Sequence, residues 1–154
     1  MRINIIGISL MKGLRLLGNI DCKTLVDVRL KQARECLIAS RANIDAGTFK
    51  ASANRSYYAI FHAMRAVLAL ESFDSKKHSG VISTFRQRYI KTGKFDKTLS
   101  VIIKNAFDVR NLSDYDDFYI VSKAEVTEQL DNATKFLDAV INYIASYDGV
   151  NDSK

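Results

Sequence analysis

The chain is expected to fold as an all-α, up-and-down bundle of about five helices, on three observations. It contains no proline and only 7 glycines, so little interrupts a helix. Apolar residues recur at three- and four-residue intervals through most of its length, the spacing of a buried helical face. At 154 residues, one domain is large enough to bury roughly two thirds of its unfolded surface without metals or disulfides.

Residues 1–20 stand apart as an N-terminal extension, apolar enough for a short strand or a docked arm, with Met11 an alternative start. The bundle is assigned to 21–147, and the tail 148–154 is expected to fray. A first helix begins at Asp21 or Thr24, and Val26, Leu30, Ala33, Leu37, Ser40 and Ile44 form its buried seam. Gly47 suits a left-handed C-terminal cap, and Thr48 suits the N-cap of a second helix over Phe49 to Leu70. Asp74 or Ser75 is the expected cap of a third helix, Lys76 to Thr92, which buries Val81, Phe85 and Tyr89 and leaves Arg86, Arg88 and Lys91 wet as a basic ridge. After Gly93, a fourth helix runs from Asp96 to Leu112 or beyond, with Leu99, Ile102, Ile103, Ala106 and Val109 inward. Ser122 and Glu125 match a reciprocal capping box at the start of a fifth. Its seam of Val126, Leu130, Ala133, Leu137, Val140 and Ile144 repeats the spacing of the first, so those two helices are expected to pack together.

Composition removes several function classes. Cys22 and Cys36 form no zinc or redox pattern and read as free thiols in a reducing cytoplasm. No apolar run of about twenty residues offers a membrane span, and no cleavage site follows the basic start. No glycine-rich phosphate loop, metal-binding cluster or nucleophile elbow is present, so neither cofactor nor metal is expected. The net charge of +6 is uneven, with 18 Lys/Arg against 7 Asp/Glu in residues 1–100 and 5 against 10 in residues 101–154. That asymmetry fits a nucleic-acid surface, attraction between dimer faces, or solvated basic helices partly neutralised by an acidic last helix.

Two stretches carry candidate chemistry. In the fourth helix Arg110 falls on the apolar side, with Ile103, Ala106 and Phe107 seven, four and three residues before it. A guanidinium there needs acceptors, because burying an unpaired one costs several kcal/mol. Asp114, four residues on, offers an ordinary helix-surface pair. In the second helix Asn54, Tyr58, Phe61 and Arg65 share a stripe within roughly 60°, flanked by Tyr57 and His62. This ladder either binds a ligand or places hydroxyls on neighbouring backbone. His78 opens the third helix, whose positive end favours a neutral imidazole.

The segments NRSYYAIFHAMRAVL at 54–68, KKHSGVISTF at 76–85 and VRNLSDY at 109–115, in that order on successive helices, resemble a HEPN domain. The resemblance covers roughly Leu25 to Val140 and points to the branch paired with minimal nucleotidyltransferases in prokaryotic toxin–antitoxin systems. It implies a cytoplasmic homodimer whose two motif segments face each other and act on or bind RNA, cutting it without metal through the ribose 2′-hydroxyl. Arg110 would lie beside the scissile phosphate and Asn111 would orient it. The family's motif histidine is absent, and Tyr115 stands five residues after Arg110 in its place. A phenol with a pKa of about 10 exchanges protons poorly near neutrality, so Tyr115 suits proton donation to a leaving group better than base catalysis. The alternative is a non-catalytic module that binds a nucleotide or the nucleotidyltransferase partner. Binding would fall to Asn54, Tyr57, Tyr58, Arg65 and His78, and Tyr115 or Tyr119 would accept a nucleotide from the partner enzyme.

Overall fold

The computed structural model describes residues 19–151, and every regular element among them is helical. Five helices follow in order: α1 Asn19–Asp45, α2 Phe49–Ala69, α3 His78–Phe85, α4 Thr98–Tyr115 and α5 Lys123–Asn151. A π-helical turn, Arg86–Ile90, continues α3. The expected extension at 1–20 lies almost wholly outside the described residues, as does the end of the expected tail, 152–154. No helix among the described residues is long and apolar enough to cross a membrane.

The bundle is built around α2. This helix packs against α1, α3, α4 and α5, and α1 also meets α5 as the matching seams predict. Both seams are buried throughout except Leu37, which is half-buried. Close approach of α1 and α2 depends on small residues. The Ser40 hydroxyl lies 2.9 Å from that of Ser52 and 2.8 Å from that of Ser56, so three buried hydroxyls satisfy one another where larger side chains would hold the helices apart.

The helix ends depart from the expected caps. Gly47 and Gly93 do adopt the left-handed conformation, with φ of 76° and 79°. Thr48, however, donates its hydroxyl to Asn43, at 3.1 Å from the carbonyl and 2.7 Å from Oδ1, and does not cap α2. Neither Asp74 nor Ser75 caps α3, because Lys77 occupies the N-cap and Asp74 serves arginines instead. Half of the capping box at α5 forms. The Glu125 amide donates to the Ser122 hydroxyl at 3.1 Å, while the Glu125 carboxylate accepts the Tyr119 hydroxyl at 2.8 Å.

The third helix also differs from a plain α-helix. Around Arg86–Ile90 the turn widens, and the Lys91 amide donates to the Arg86 carbonyl at 2.8 Å, five residues back. The extra residue lets Tyr89 and Ile90 both face inward. Tyr89 then joins Phe85 and Phe95 in an aromatic cluster against Phe136 and Tyr143 of α5. In consequence Arg86, Arg88 and Lys91 do not form one ridge: Arg88 leaves to meet Glu71 at 3.4 Å.

One ionic cluster ties α1, α2 and the loop before α3. Arg29, whose side chain is only 2% exposed, donates from Nη1 to the Arg65 carbonyl at 2.9 Å. Its Nη2 lies 3.1 Å from Asp74 Oδ1, off the hydrogen-bonding direction, so this is an ion pair alone. Arg65 binds the same carboxylate in fork geometry, donating from Nε to Oδ1 at 3.3 Å and from Nη2 to Oδ2 at 3.2 Å. Asp74→Asn therefore leaves a buried guanidinium without its counter-charge and should lower unfolding free energy by about 3 kcal/mol. Arg29→Met, which removes the buried charge itself, should cost clearly less in the same urea titration. Equal losses would show that the charge pairing is immaterial.

Candidate functional site

Arg110 ends up where its sequence position demanded, in the last turns of α4 with its side chain 15% exposed. Its Nε lies 3.0 Å from Asp114 Oδ2, an ion pair without hydrogen-bond alignment. Nη1 donates to Asn111 Oδ1 at 3.2 Å and Nη2 to the Tyr58 hydroxyl at 3.4 Å. The guanidinium carbon stands 5.4, 5.7 and 5.8 Å from the ring centres of Tyr57, Tyr58 and Tyr115. Three phenol rings thus surround the cation, each within the range of cation–π attraction. A guanidinium has five N–H donors, so these contacts leave donors on both terminal nitrogens for a further acceptor.

The α2 ladder supplies the other wall. The Asn54 amide donates to Asp114 Oδ2 at 3.1 Å, and its carbonyl oxygen accepts from Arg55 Nε at 3.1 Å and Nη2 at 2.7 Å. Arg55 also lies over the Tyr58 ring at 5.0 Å. Tyr58 is therefore flanked by two guanidiniums, with one carboxylate, Asp114, ion-paired to Arg110. Local positive charge survives, and it favours an anion. Sequence reading passed over Arg55 because it lies outside the stripe. Its signal was a cation directly preceding a polar–aromatic run.

Tyr57 is fully buried, and its hydroxyl lies 2.8 Å from His78 Nδ1. Burial pushes its pKa up to about 12, against the opposing pull of Arg110. His78 stacks on Phe61 at 4.1 Å and meets Tyr58 edge-on at 5.7 Å. Its pKa is lowered as expected, but the leading cause is burial, followed by the charges of Arg110 and Arg65. The His62 ring lies 6.1 Å from that of Tyr58. Both imidazoles reach the ring whose hydroxyl meets Arg110.

Seven of the sequence-selected residues come together: Arg110, Asn111, Tyr115, Asn54, Tyr57, Tyr58 and His78. Two turn elsewhere. Arg65 is held by Asp74 and contacts the cluster only through the Phe61 ring, 5.8 Å from its guanidinium. Tyr119 gives its hydroxyl to Glu125, and burial together with that bond raises its pKa to about 12. Tyr115 is 76% exposed. No group of His, Cys, Asp and Glu suited to a metal occurs among the described residues.

Comparison with known proteins decides the family. The HEPN domain model matches residues 26–143. This chain belongs to the HEPN domain family. Among its relatives, a UPF0332 protein of Thermotoga maritima is 30% identical over 116 residues, covering 75% of this chain and 88% of the relative. A protein of Methanocaldococcus jannaschii named "Putative toxin" is 30% identical over 127 residues, covering 80% of this chain and 86% of the relative. A crystal structure from Thermus thermophilus superposes with a TM-score of 0.66 over 77% of this chain and 97% of that one. At 18% identity that likeness establishes a shared fold. The HEPN match spans all three segments that form the Arg110 cluster, 54–68, 76–85 and 109–115.

The two histidines of this HEPN domain give it a pH dependence. Burial, reinforced by Arg65, Arg29, Arg55 and His78, lowers the His62 pKa to about 4. In the unfolded chain a histidine takes its proton near 6.5, so protonation favours unfolding first. Stability should be full above about pH 6.5 and fall toward pH 4, by an amount on the order of 2 kcal/mol for this residue. His62→Gln should flatten that part of the denaturation profile, and an unchanged slope would remove His62 as its source.

Proposed function

We propose that this HEPN domain is the toxin-type member of a two-component system and binds RNA, with Arg110 as its phosphate clamp. The observation that carries the reading is the Arg110 guanidinium itself. It is buried enough to be positioned by Asp114, Asn111 and Tyr58, yet it retains unpaired donors and a second cation, Arg55, across the Tyr58 ring. Such a fork suits a phosphate, and Tyr115 is exposed beside it for stacking on a base. The relatives named as toxins support the system type.

Metal-independent cleavage is the chemical extension of this binding mode. Arg110 would stabilise charge on the scissile phosphate, Asn111 would hold Arg110, and Tyr115 would give a proton to the leaving oxygen. With a phenol where the family has an imidazole, the reaction is expected to be slow. The active form is proposed to be a homodimer with two Arg110 segments opposed. Leu112, Tyr115, Phe118 and Ile120 support it, an exposed apolar group around the end of α4 in which Phe118 is 94% and Ile120 88% exposed.

In a preparation that sediments as a dimer at micromolar concentration, Arg110→Ala should weaken binding of single-stranded RNA at least tenfold and abolish any cleavage. Tyr115→Phe should keep most of the affinity while losing cleavage. Unchanged binding by folded Arg110→Ala would end the clamp reading, and a monomeric parent would end the shared cleft.

A second reading has its own support. Of the two candidate tyrosines, Tyr115 is exposed, whereas the Tyr119 hydroxyl is engaged by Glu125. A nucleotidyltransferase partner would therefore modify Tyr115, adding negative charge beside Arg110 and displacing RNA phosphate. Incubation with the partner and ATP should add a nucleotide mass that Tyr115→Phe removes and Tyr119→Phe does not. The reverse pattern in peptide mass spectra would reassign the acceptor.

A further inference from the structure

A groove separates α3 and its π turn from α4. Its floor is apolar, formed by Ile82, Ile103 and Phe107, and no carboxylate lines it. Arg86 and Lys91 stand on one wall, and Lys97 and Lys104 on the other. Lys104 is taken by Asp108 at 2.6 Å, and Asp96 neighbours Lys97 in the chain. Lys91 and Lys97 make no ion pair among the described residues.

The π turn creates the first wall. In an uninterrupted α-helix Arg86 and Lys91 would point about 140° apart, at about 100° per residue. The hydrogen bond from the Lys91 amide to the Arg86 carbonyl instead closes a five-residue turn, which returns Lys91 to the groove side above Arg86. Arg88, between them, points away to Glu71 and to the Phe73 ring at 5.0 Å. Arg86 is braced across the groove, since its Nη2 donates to the Ser100 carbonyl of α4 at 3.2 Å. Arg86 is thus set before any ligand arrives, which lowers the ordering cost of binding along that wall.

We propose that this groove holds a segment of single-stranded RNA, its phosphates on Lys91 and Lys97 with Arg86 beside them, and its bases over the apolar floor. An acidic peptide would meet the cations but leave Ile82, Ile103 and Phe107 without an apolar counterpart. The groove adjoins the Arg110 cluster, because its Phe107 packs edge-on against the buried Tyr57 ring at 5.9 Å and Ser79, at the groove's edge, follows His78. The inference rests on the RNA reading of that cluster and adds the track for the flanking strand.

The test is fluorescence anisotropy of a labelled single-stranded oligoribonucleotide with the full chain over a range of salt. Lys91→Gln combined with Lys97→Gln, both exposed, should weaken binding about tenfold and reduce the slope of log affinity against log salt by about 1.4 for two lost phosphate contacts. Lys123→Gln combined with Lys135→Gln removes the same charge from an exposed stretch of α5 and should change affinity less than twofold. Equal losses in the two double variants, no loss in the groove variant, no binding by the parent chain, or displacement by a polyglutamate peptide as readily as by unlabelled RNA would each overturn the proposal. Arg110→Ala separates the two sites. Parental binding by that variant with a loss in the groove variant would sink the clamp and keep the groove, and the opposite pattern would sink the groove alone.

Discussion

Satisfying the polar groups of α2 is the constraint on which the rest of this bundle depends. The helix is enclosed by four others, yet it carries Asn54, Arg55, Tyr57, Tyr58, His62 and Arg65 among its apolar residues. Buried polar groups left unpaired cost free energy, and α3, α4 and the loop before α3 contribute partners to most of them, His62 Nδ1 being buried without a hydrogen bond. Asp114 of α4 accepts from Asn54, His78 of α3 meets Tyr57, Arg110 of α4 donates to Tyr58, and Asp74 in the loop holds Arg65. The candidate site is the set of side chains recruited to do this.

That origin explains why stability and binding are hard to separate here. The Arg110–Asp114 pair has the i,i+4 spacing that on an exposed helix contributes only about 0.3 to 0.5 kcal/mol. Its weight lies in orientation, because Asp114 also binds Asn54 and so joins α4 to α2 at the level of Tyr58. The Arg29–Asp74–Arg65 cluster acts likewise at the other end of the ladder, fixing the loop that delivers His78. Between the two lies an aromatic stack of Tyr57, Phe61 and His78, and burial there lowers the imidazole's pKa and raises that of the Tyr57 phenol.

Legibility followed the range of the interaction. Helix count, the two long seams, the glycine stops and the inward face of α4 were readable because each depends on residues within a turn or two of one another. Arg110 was readable for the same reason, as a charge at an apolar helical position. Arg29 carries the same signature, three residues after Val26 on the seam of α1, with no motif around it. The caps were misjudged where a side chain with local capping ability was engaged by another group: Thr48 by Asn43, Asp74 by two arginines, and Glu125 by Tyr119.

By itself the sequence determined an all-α bundle, the HEPN segments and the burial of a cation at position 110, since composition and helical periodicity are local properties of the chain. Tertiary structure alone decided which partners that cation meets, that Arg65 belongs to Asp74 while Arg55 joins Tyr58, and that both histidines border the same phenol. It also decided the direction of the basic residues after Phe85. The π turn there answers the need to bury Tyr89 and Ile90 together against α4 and α5, and no spacing within the chain records a demand made by neighbouring helices.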